Sequence, residues 1–179
     1  MSWNVDTNHS QISFTAKHMG IFTVRGQFEK FEIDFDYDET NPENTTVITK
    51  IDVGSLNTNN DQRDGHLKSS DFFNVAEYPT ITFKSTRVKK LSETTGKLFG
   101  DLTIRDITKP VVLDAEFVGQ AKSPWGTTSA GFLANTKIDR TQWDLTWNQV
   151  LETGGVLVSN EIGIYLEMEA IKQAVAVPA

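Results

Sequence analysis

The sequence predicts an all-β protein built as one antiparallel barrel or sandwich, and two observations carry this prediction. First, apolar residues recur with period two: in "FEIDFDYD" (31–38), Phe31, Ile33, Phe35 and Tyr37 alternate with acidic residues. Because successive side chains of a strand point to opposite faces, this strand has one apolar face and one wetted, acidic face. Second, turn-forming residues separate such runs, at 41–44, 94–96, 123–126 and 153–155.

The same alternation continues along the chain and gives about eight or nine strands in total. The further runs are Ile12-Phe14-Ala16, Ile81-Phe83-Ser85, Leu98-Leu102-Ile104, Val111-Leu113-Ala115-Phe117 and Val156-Val158-Ile162-Ile164-Leu166-Met168. An eight-stranded barrel has an interior that side chains fill or that holds one small ligand, and periodicity does not choose between these outcomes. We expect one domain with a core over 3–172. The tail 173–179, with its "AVAVPA", is expected to lack a partner strand.

One segment breaks the strand rhythm, "NNDQRDGHLKSSDFFN" at 59–74. Asn60 or Asp61 is a suitable N-cap, and the segment shows no alternation. We predict one or two short helical turns that end in the pair Phe72-Phe73. Since an exposed aromatic pair would reduce solubility, these rings are expected to face the mouth of the barrel.

Composition narrows the classes of partner. The chain has 179 residues, no cysteine and a formal net charge of -7, which fits one domain without disulfides or zinc–thiolate sites. The negative charge argues against nucleic acid, and against an anionic membrane surface as the main partner. The segment "MSWNVDTNHS" has no basic or apolar region of a signal peptide, so we expect a cytoplasmic protein, or a periplasmic one if the sequence is a mature form.

Four longer segments resemble the YceI-like family of lipocalin-like polyisoprenoid-binding domains. They are "DTNHSQISFTAKHMGIFTVRGQF" (6–28), "SLNTNNDQRDGHLKSSDFFNVAEYPTITFKS" (55–85), "GDLTIRDITKPVVL" (100–113) and "GFLANTKIDRTQWDL" (131–145). The resemblance implies an extended eight-stranded antiparallel lipocalin-like barrel with a long apolar tunnel and the short helical insert. It also implies a homodimer that binds, sequesters or transports a long amphipathic lipid, with a role in stress response among the expectations. Polyprenyl pyrophosphate, an isoprenoid quinone and a fatty acyl compound are the ligands it suggests, with no other cofactor.

The resemblance, rather than the pattern, favours a lined tunnel over a core that these aromatics simply fill. The residues expected to line it are Phe14, Phe22, Val24, Phe28, Leu67, Phe72, Phe73, Ile81, Phe83, Leu102, Ile104, Phe132 and Trp143.

Basic groups near the predicted mouth have two interpretations. His18, Arg63 and His66 could contact an anionic or carbonyl-rich head group, because arginine suits bidentate contacts with phosphate. Alternatively, Arg63 and Asp64 hold the insert in place through local ion pairs. The sequence leaves both open.

Catalytic and metal-binding patterns are absent from the sequence. It contains no GxSxG, GxGxxG or P-loop motif, and His9, His18 and His66 have no metal-ligand spacing. The carboxylates of "FEIDFDYD" fit a solvated strand face. We therefore expect a binding protein that is not an enzyme and holds no metal. A lipid-processing enzyme that uses the same pocket, and a filled barrel that acts as a structural or interaction protein, are the alternatives.

The absence of metal-ligand spacing predicts that chelation has no effect. Treatment with EDTA should leave the melting temperature and the binding of a lipid probe unchanged. A fall of several degrees that one particular ion reverses would contradict this expectation.

Overall fold

The computed structural model describes residues 2–173, which form ten strands, one α-helix and three short 3₁₀ turns. The helix α1 spans Asp61–Lys68. The strands are β1 Trp3–His18, β2 Phe22–Phe28, β3 Phe31–Asp36, β4 Thr46–Asp52, β5 Leu56–Asn57, β6 Thr80–Lys90, β7 Thr95–Ile104, β8 Ile107–Lys122, β9 Thr128–Asp139 and β10 Val158–Lys172. The 3₁₀ turns are Pro42–Asn44, Val53–Ser55 and Arg140–Trp143.

All ten strands belong to one antiparallel sheet in the order β3-β4-β6-β7-β8-β9-β10-β1-β2-β5. The sheet curls around a common interior as a half-barrel, so the predicted antiparallel, lipocalin-like fold with one helical insert is confirmed. The structure has ten strands rather than the predicted eight, and two features of the structure account for the difference. Strands β2 and β3 count separately although only Glu29 and Lys30 lie between them, and β5 counts as a strand although it contains just two residues.

The inward face of the sheet is apolar because the period of the sequence matches the pleat of the strands. In β4, the buried residues Val47, Thr49 and Ile51 alternate with exposed ones. The acidic residues of β3 point to solvent, while Phe35 is buried. The buried apolar residues of the strands form one cluster in the interior, as expected for a sheet with a single solvated face.

The helical insert forms at the predicted place with a capped N-terminus, although the helix ends four residues before Phe72, the first of the pair expected to end it. The Asn60 side chain accepts a hydrogen bond from the Arg63 amide at 2.9 Å, and α1 ends at Lys68. The buried Asp64 carboxylate accepts hydrogen bonds from the Thr58 amide and hydroxyl, at 2.9 and 2.5 Å. Within the described residues, no helix has the length and apolar character to cross a membrane. The predicted unpaired tail is 173–179: the Gln173 amide donates to the Ser2 main-chain oxygen at 2.9 Å, and 174–179 lie outside the described residues.

Phe83 of β6 packs directly over Gly100 of β7, and this pair leaves no room for a further side chain. A Cβ atom built at Gly100 would lie 2.3 Å from Phe83 Cζ and 2.7 Å from the main-chain oxygen of Lys84. Rotation of the ring would relieve only the first contact. The strand therefore requires glycine at this position.

Gly100→Ala should destabilise the protein by about 1–3 kcal/mol, the usual cost of overpacking. Gly131→Ala in β9 is the matched control, since a Cβ there makes only an ordinary contact of 3.5 Å with Val118. Denaturant unfolding of both variants measures the difference. Equal stability of the two variants would show that the contact between Phe83 and Gly100 is not a constraint.

Candidate functional site: two apolar cavities in the interior

The first cavity lies at the end of the half-barrel that α1 covers, and we call it the helix-end cavity. Its volume is about 140 Å³. Phe72 and Phe73, which follow α1, both line it: Phe72 is buried and Phe73 is half-buried. Phe28 approaches the ring of Phe73 edge-on, with centroids 6.2 Å apart. Both rings of the pair thus reach apolar surroundings at this end.

The second cavity, the far-end cavity, lies toward the opposite end and has a volume of about 130 Å³. Four aromatic rings pack together along it, those of Phe35, Tyr37, Phe117 and Phe132. Centroids are 5.6 Å apart for Phe35 and Tyr37, and 5.0 Å apart for Phe132 and each of these two rings. Burial raises the pKa of the Tyr37 hydroxyl, and the nearby carboxylates of Glu39 and Asp38 add to the shift.

The two cavities lie end to end along the interior. On β10, Ile162 and Ile164 line the helix-end cavity, and the next inward residues, Leu166 and Met168, line the far-end cavity. Two residues of strand span only about 6.6 Å. On β7, Gly100 lies between Leu98 of one lining and Leu102 of the other. The Phe83–Gly100 pair therefore lies at the junction of the two cavities.

Arg140 is the charged residue in the lining of the helix-end cavity. It is 3% exposed, and its guanidinium donates hydrogen bonds to main-chain oxygens of Leu145 at 2.6 Å, Ser159 at 2.9 Å and Val158 at 3.4 Å. The guanidinium carbon lies 5.9 Å from the centre of the Phe72 ring. Burial lowers the pKa of Arg140, and the neighbouring Asp139 carboxylate opposes this shift.

Arg63 occupies a different environment from Arg140. Its Nε donates to the Thr58 hydroxyl and its Nη2 to the Thr58 carbonyl oxygen, both at 2.8 Å. These contacts join α1 to the segment that precedes it. The partner is Thr58 rather than the Asp64 carboxylate of the sequence interpretation, although Asp64 binds the same threonine.

His66 lies beside the helix-end cavity without entering its lining. Its Nε2 lies 2.9 Å from an Asp71 carboxylate oxygen, and its ring contacts Trp147 edge-on with centroids 4.6 Å apart. Phe72 packs against both rings, at 5.1 Å from His66 and 5.4 Å from Trp147. These contacts fix the position of the Phe72 ring.

The structure distributes the sequence-predicted site residues over three environments. Eight line the helix-end cavity: Phe14, Phe28, Leu67, Phe72, Phe73, Ile81, Leu102 and Ile104. Phe132 lines the far-end cavity. Seven belong to neither lining: His18, Phe22, Val24, Arg63, His66, Phe83 and Trp143.

Two of these seven have a clear structural reason for their position. Trp143 is 1% exposed and its indole nitrogen donates to the Leu102 carbonyl oxygen at 3.0 Å, so it belongs to the packed core. Phe22 is 59% exposed and is the first residue of β2, next to the turn that joins β1 to β2. The sequence interpretation did not identify Arg140 or the far-end cavity as parts of the site.

A histidine–carboxylate cluster lies apart from both cavities. Nδ1 of the exposed His9 lies 2.8 Å from an Asp6 carboxylate oxygen and 3.7 Å from Glu169. The hydrogen bond between His9 and Asp6 raises the pKa of His9 and lowers that of Asp6. Such shifts are those of an exposed ion pair. The expectation that the protein holds no metal stays a prediction.

The curled antiparallel sheet and its apolar interior place the protein in the lipocalin-like class of β proteins. The chain belongs to the YceI-like family, since the model of the YceI-like domain matches residues 3–170. It is 37% identical over 165 residues to a UPF0312 protein of Ectopseudomonas mendocina, covering 92% of this chain and 83% of that protein. It is equally similar to Protein YceI of Escherichia coli O6:H1, with the same coverage of both chains.

Solved structures agree with this assignment. The YCEI protein of Campylobacter jejuni is 34% identical and superposes with a TM-score of 0.77 over 88% of this chain and 90% of that one. A polyisoprenoid binding domain from Saccharophagus degradans superposes with a TM-score of 0.67 over 97% and 99% of the two chains. At 12% identity, the second comparison shows a shared fold.

The environment of Arg63 predicts a structural role. Arg63→Gln should lower the melting temperature, because the lost hydrogen bonds hold α1 to the segment before it. Binding of neutral and anionic lipid probes should weaken by the same factor. Lys68→Gln on the same helix is the control for removal of a positive charge. Calorimetric titrations and thermal melts test both variants. A selective loss of the anionic probe would assign Arg63 to the head group instead.

Proposed function

We propose that this protein binds one long amphipathic lipid along its interior and so carries or sequesters it. The observation that carries the proposal is the end-to-end arrangement of the helix-end and far-end cavities on one apolar inner face. A chain that occupies both would follow the axis of the half-barrel. Binding would transfer the apolar chain of the lipid from water to the interior of the protein, with no covalent step.

The energetics suit such a ligand. Each methylene transferred from water contributes about 0.8 kcal/mol, so ten buried groups give about 8 kcal/mol, which corresponds to roughly micromolar affinity before ordering costs. The cavities are small by comparison, since an engineered cavity of about 150 Å³ holds one benzene molecule. A long chain therefore requires side chains at the junction, Phe83 foremost, to move aside.

Arg140 supports a polar end for the ligand at the helix-end cavity. A guanidinium has five N–H donors, and main-chain oxygens take three of those of Arg140. A buried guanidinium that forms no salt bridge among residues 2–173 is costly, and a head group that accepts hydrogen bonds would reduce that cost. The S. degradans domain is described as polyisoprenoid binding. This description supports an isoprenoid chain as the ligand class here.

A filled barrel that acts as an interaction protein is the second candidate. The small volumes of the two cavities favour it, because neither holds a long chain without rearrangement. The two candidates differ in one observable: the first requires an apolar ligand in the interior and the second requires none.

Organic extraction of the purified protein, followed by mass spectrometry, should yield about one isoprenoid or acyl lipid per subunit. Delipidated protein should take up geranylgeraniol in a fluorescence titration. Recovery of no lipid, together with no uptake of this probe, would contradict the proposal and favour the filled barrel.

Loss of the aromatic rings at the helix-end cavity should weaken binding of the geranylgeraniol probe. Phe73→Ala, and Phe72→Ala with Phe73→Ala, should reduce geranylgeraniol affinity at least tenfold, because both rings line the cavity. The double variant should also lose about 3–5 kcal/mol of stability, because Phe72 is buried. Its titrations should therefore be run well below its melting temperature. Phe99→Ala is the matched control, since Phe99 packs against Arg87 at 4.1 Å and lines neither cavity. Unchanged affinity in Phe73→Ala would contradict this placement of the ligand.

A further inference from the structure

Five exposed apolar side chains lie at one end of the molecule, beside the helix-end cavity. Met19 and Ile21 lie on the turn between β1 and β2, and Phe22 begins β2; they are 43%, 71% and 59% exposed. Val150 and Val156 lie in the segment before β10 and are 79% and 45% exposed. The Met19 amide donates to the Leu157 carbonyl oxygen at 2.9 Å, so the two segments join. We call these five residues the apolar tip.

The backbone of the β1–β2 turn shows that this exposure has a cost. Met19 and Gly20 both have positive φ values, 55° and 71°. Turns with positive φ at two successive residues favour Asn-Gly or Asp-Gly, because a larger side chain is strained at positive φ. Here a methionine occupies the strained position and two further large apolar residues follow it. Exposed apolar clusters usually mark a surface for a partner or a membrane.

The charges behind the tip indicate the kind of partner. Lys17 and Arg25 are exposed on the outer face of the same hairpin, and Lys17 donates to the Thr23 hydroxyl at 2.7 Å. Neither cation forms a salt bridge within the described residues, in a chain of net charge -7. The segment between Val150 and Val156 contributes one acidic residue, Glu152, to this end of the molecule. Apolar side chains backed by unpaired cations match a bilayer interface with anionic head groups.

A second copy of this chain fits the tip less well. Two-fold symmetric association through the tip would bring the Lys17 and Arg25 pairs of both copies toward one another. Like charges close together at an interface oppose association. An anionic bilayer offers the complementary charge instead.

The tip also adjoins the proposed ligand site. Ala16 and Val158 line the helix-end cavity, and His18, two residues beyond Ala16, pairs with Phe22 on one side and Val158 on the other. We propose that the apolar tip docks reversibly into the interface of an anionic lipid bilayer, with Lys17 and Arg25 against the head groups. In this orientation the helix-end cavity faces the membrane when lipid is exchanged. This role in exchange rests on the proposed function, whereas docking is measurable without it.

Vesicle flotation with the full chain tests the proposal. The protein should float with vesicles of equal parts phosphatidylcholine and phosphatidylglycerol, and much less with phosphatidylcholine alone. Added salt should weaken the binding. Ile21→Ser with Phe22→Ser should reduce the partition coefficient at least tenfold, and Lys17→Gln with Arg25→Gln should reduce it about tenfold at low salt. Trp125→Ser is the matched control, since Trp125 is 88% exposed on the β8–β9 turn at the opposite end, and should change it less than twofold.

Three outcomes would overturn the proposal. They are no flotation of the wild-type protein, an equal loss in the control, and a tip variant that only converts a dimer to a monomer in analytical ultracentrifugation. The last would make the tip an interface between copies. Geranylgeraniol titration in solution separates the two proposals. Uptake without vesicle binding would leave the lipid-binding function standing, and vesicle binding without uptake would leave only the docking.

Discussion

The alternation of side chains on a curled antiparallel sheet is the constraint on which the rest of the structure depends. Every second residue points inward, so the apolar residues of the period-two runs meet in one interior and the acidic residues of β3 remain in water. A shift of one residue in any strand would exchange these faces. The same alternation places Ile164 and Leu166 at consecutive inward positions, which brings the two cavities into line.

The two ends of the interior differ chemically, and this difference would orient the lipid that we propose as ligand. The helix-end cavity is lined by the buried Arg140 and by the rings of Phe72 and Phe73, and the apolar tip lies beside it. The far-end cavity is dominated by aromatic rings, with Lys90, Glu93 and Glu116 in its lining. Under the proposed function, the head group would lie at the helix end near Arg140, and the hydrocarbon tail would extend toward the aromatic rings of the far end. In this orientation the polar group also lies nearest the surface that we propose to meet the bilayer.

Much of the fold could be predicted from the sequence because strands and caps are encoded locally. The alternation in 31–38 and the N-cap at Asn60 each depend on near neighbours, and both match the structure. The site was less predictable. Arg140 donates its hydrogen bonds to main-chain oxygens of Leu145, Val158 and Ser159, which only the folded chain brings together. Whether Phe14 or Phe83 lines a cavity depends on how rings from several strands pack, and periodicity carries no information on that packing.

The central claim is that hydrocarbon occupies the interior along its axis. The most direct measurement is a calorimetric titration with straight-chain alcohols from pentanol to hexadecanol. The account predicts that each added methylene strengthens binding by about 0.8 kcal/mol, roughly fourfold, until the chain fills both cavities, after which affinity levels off. An affinity that does not change with chain length across the series would contradict it.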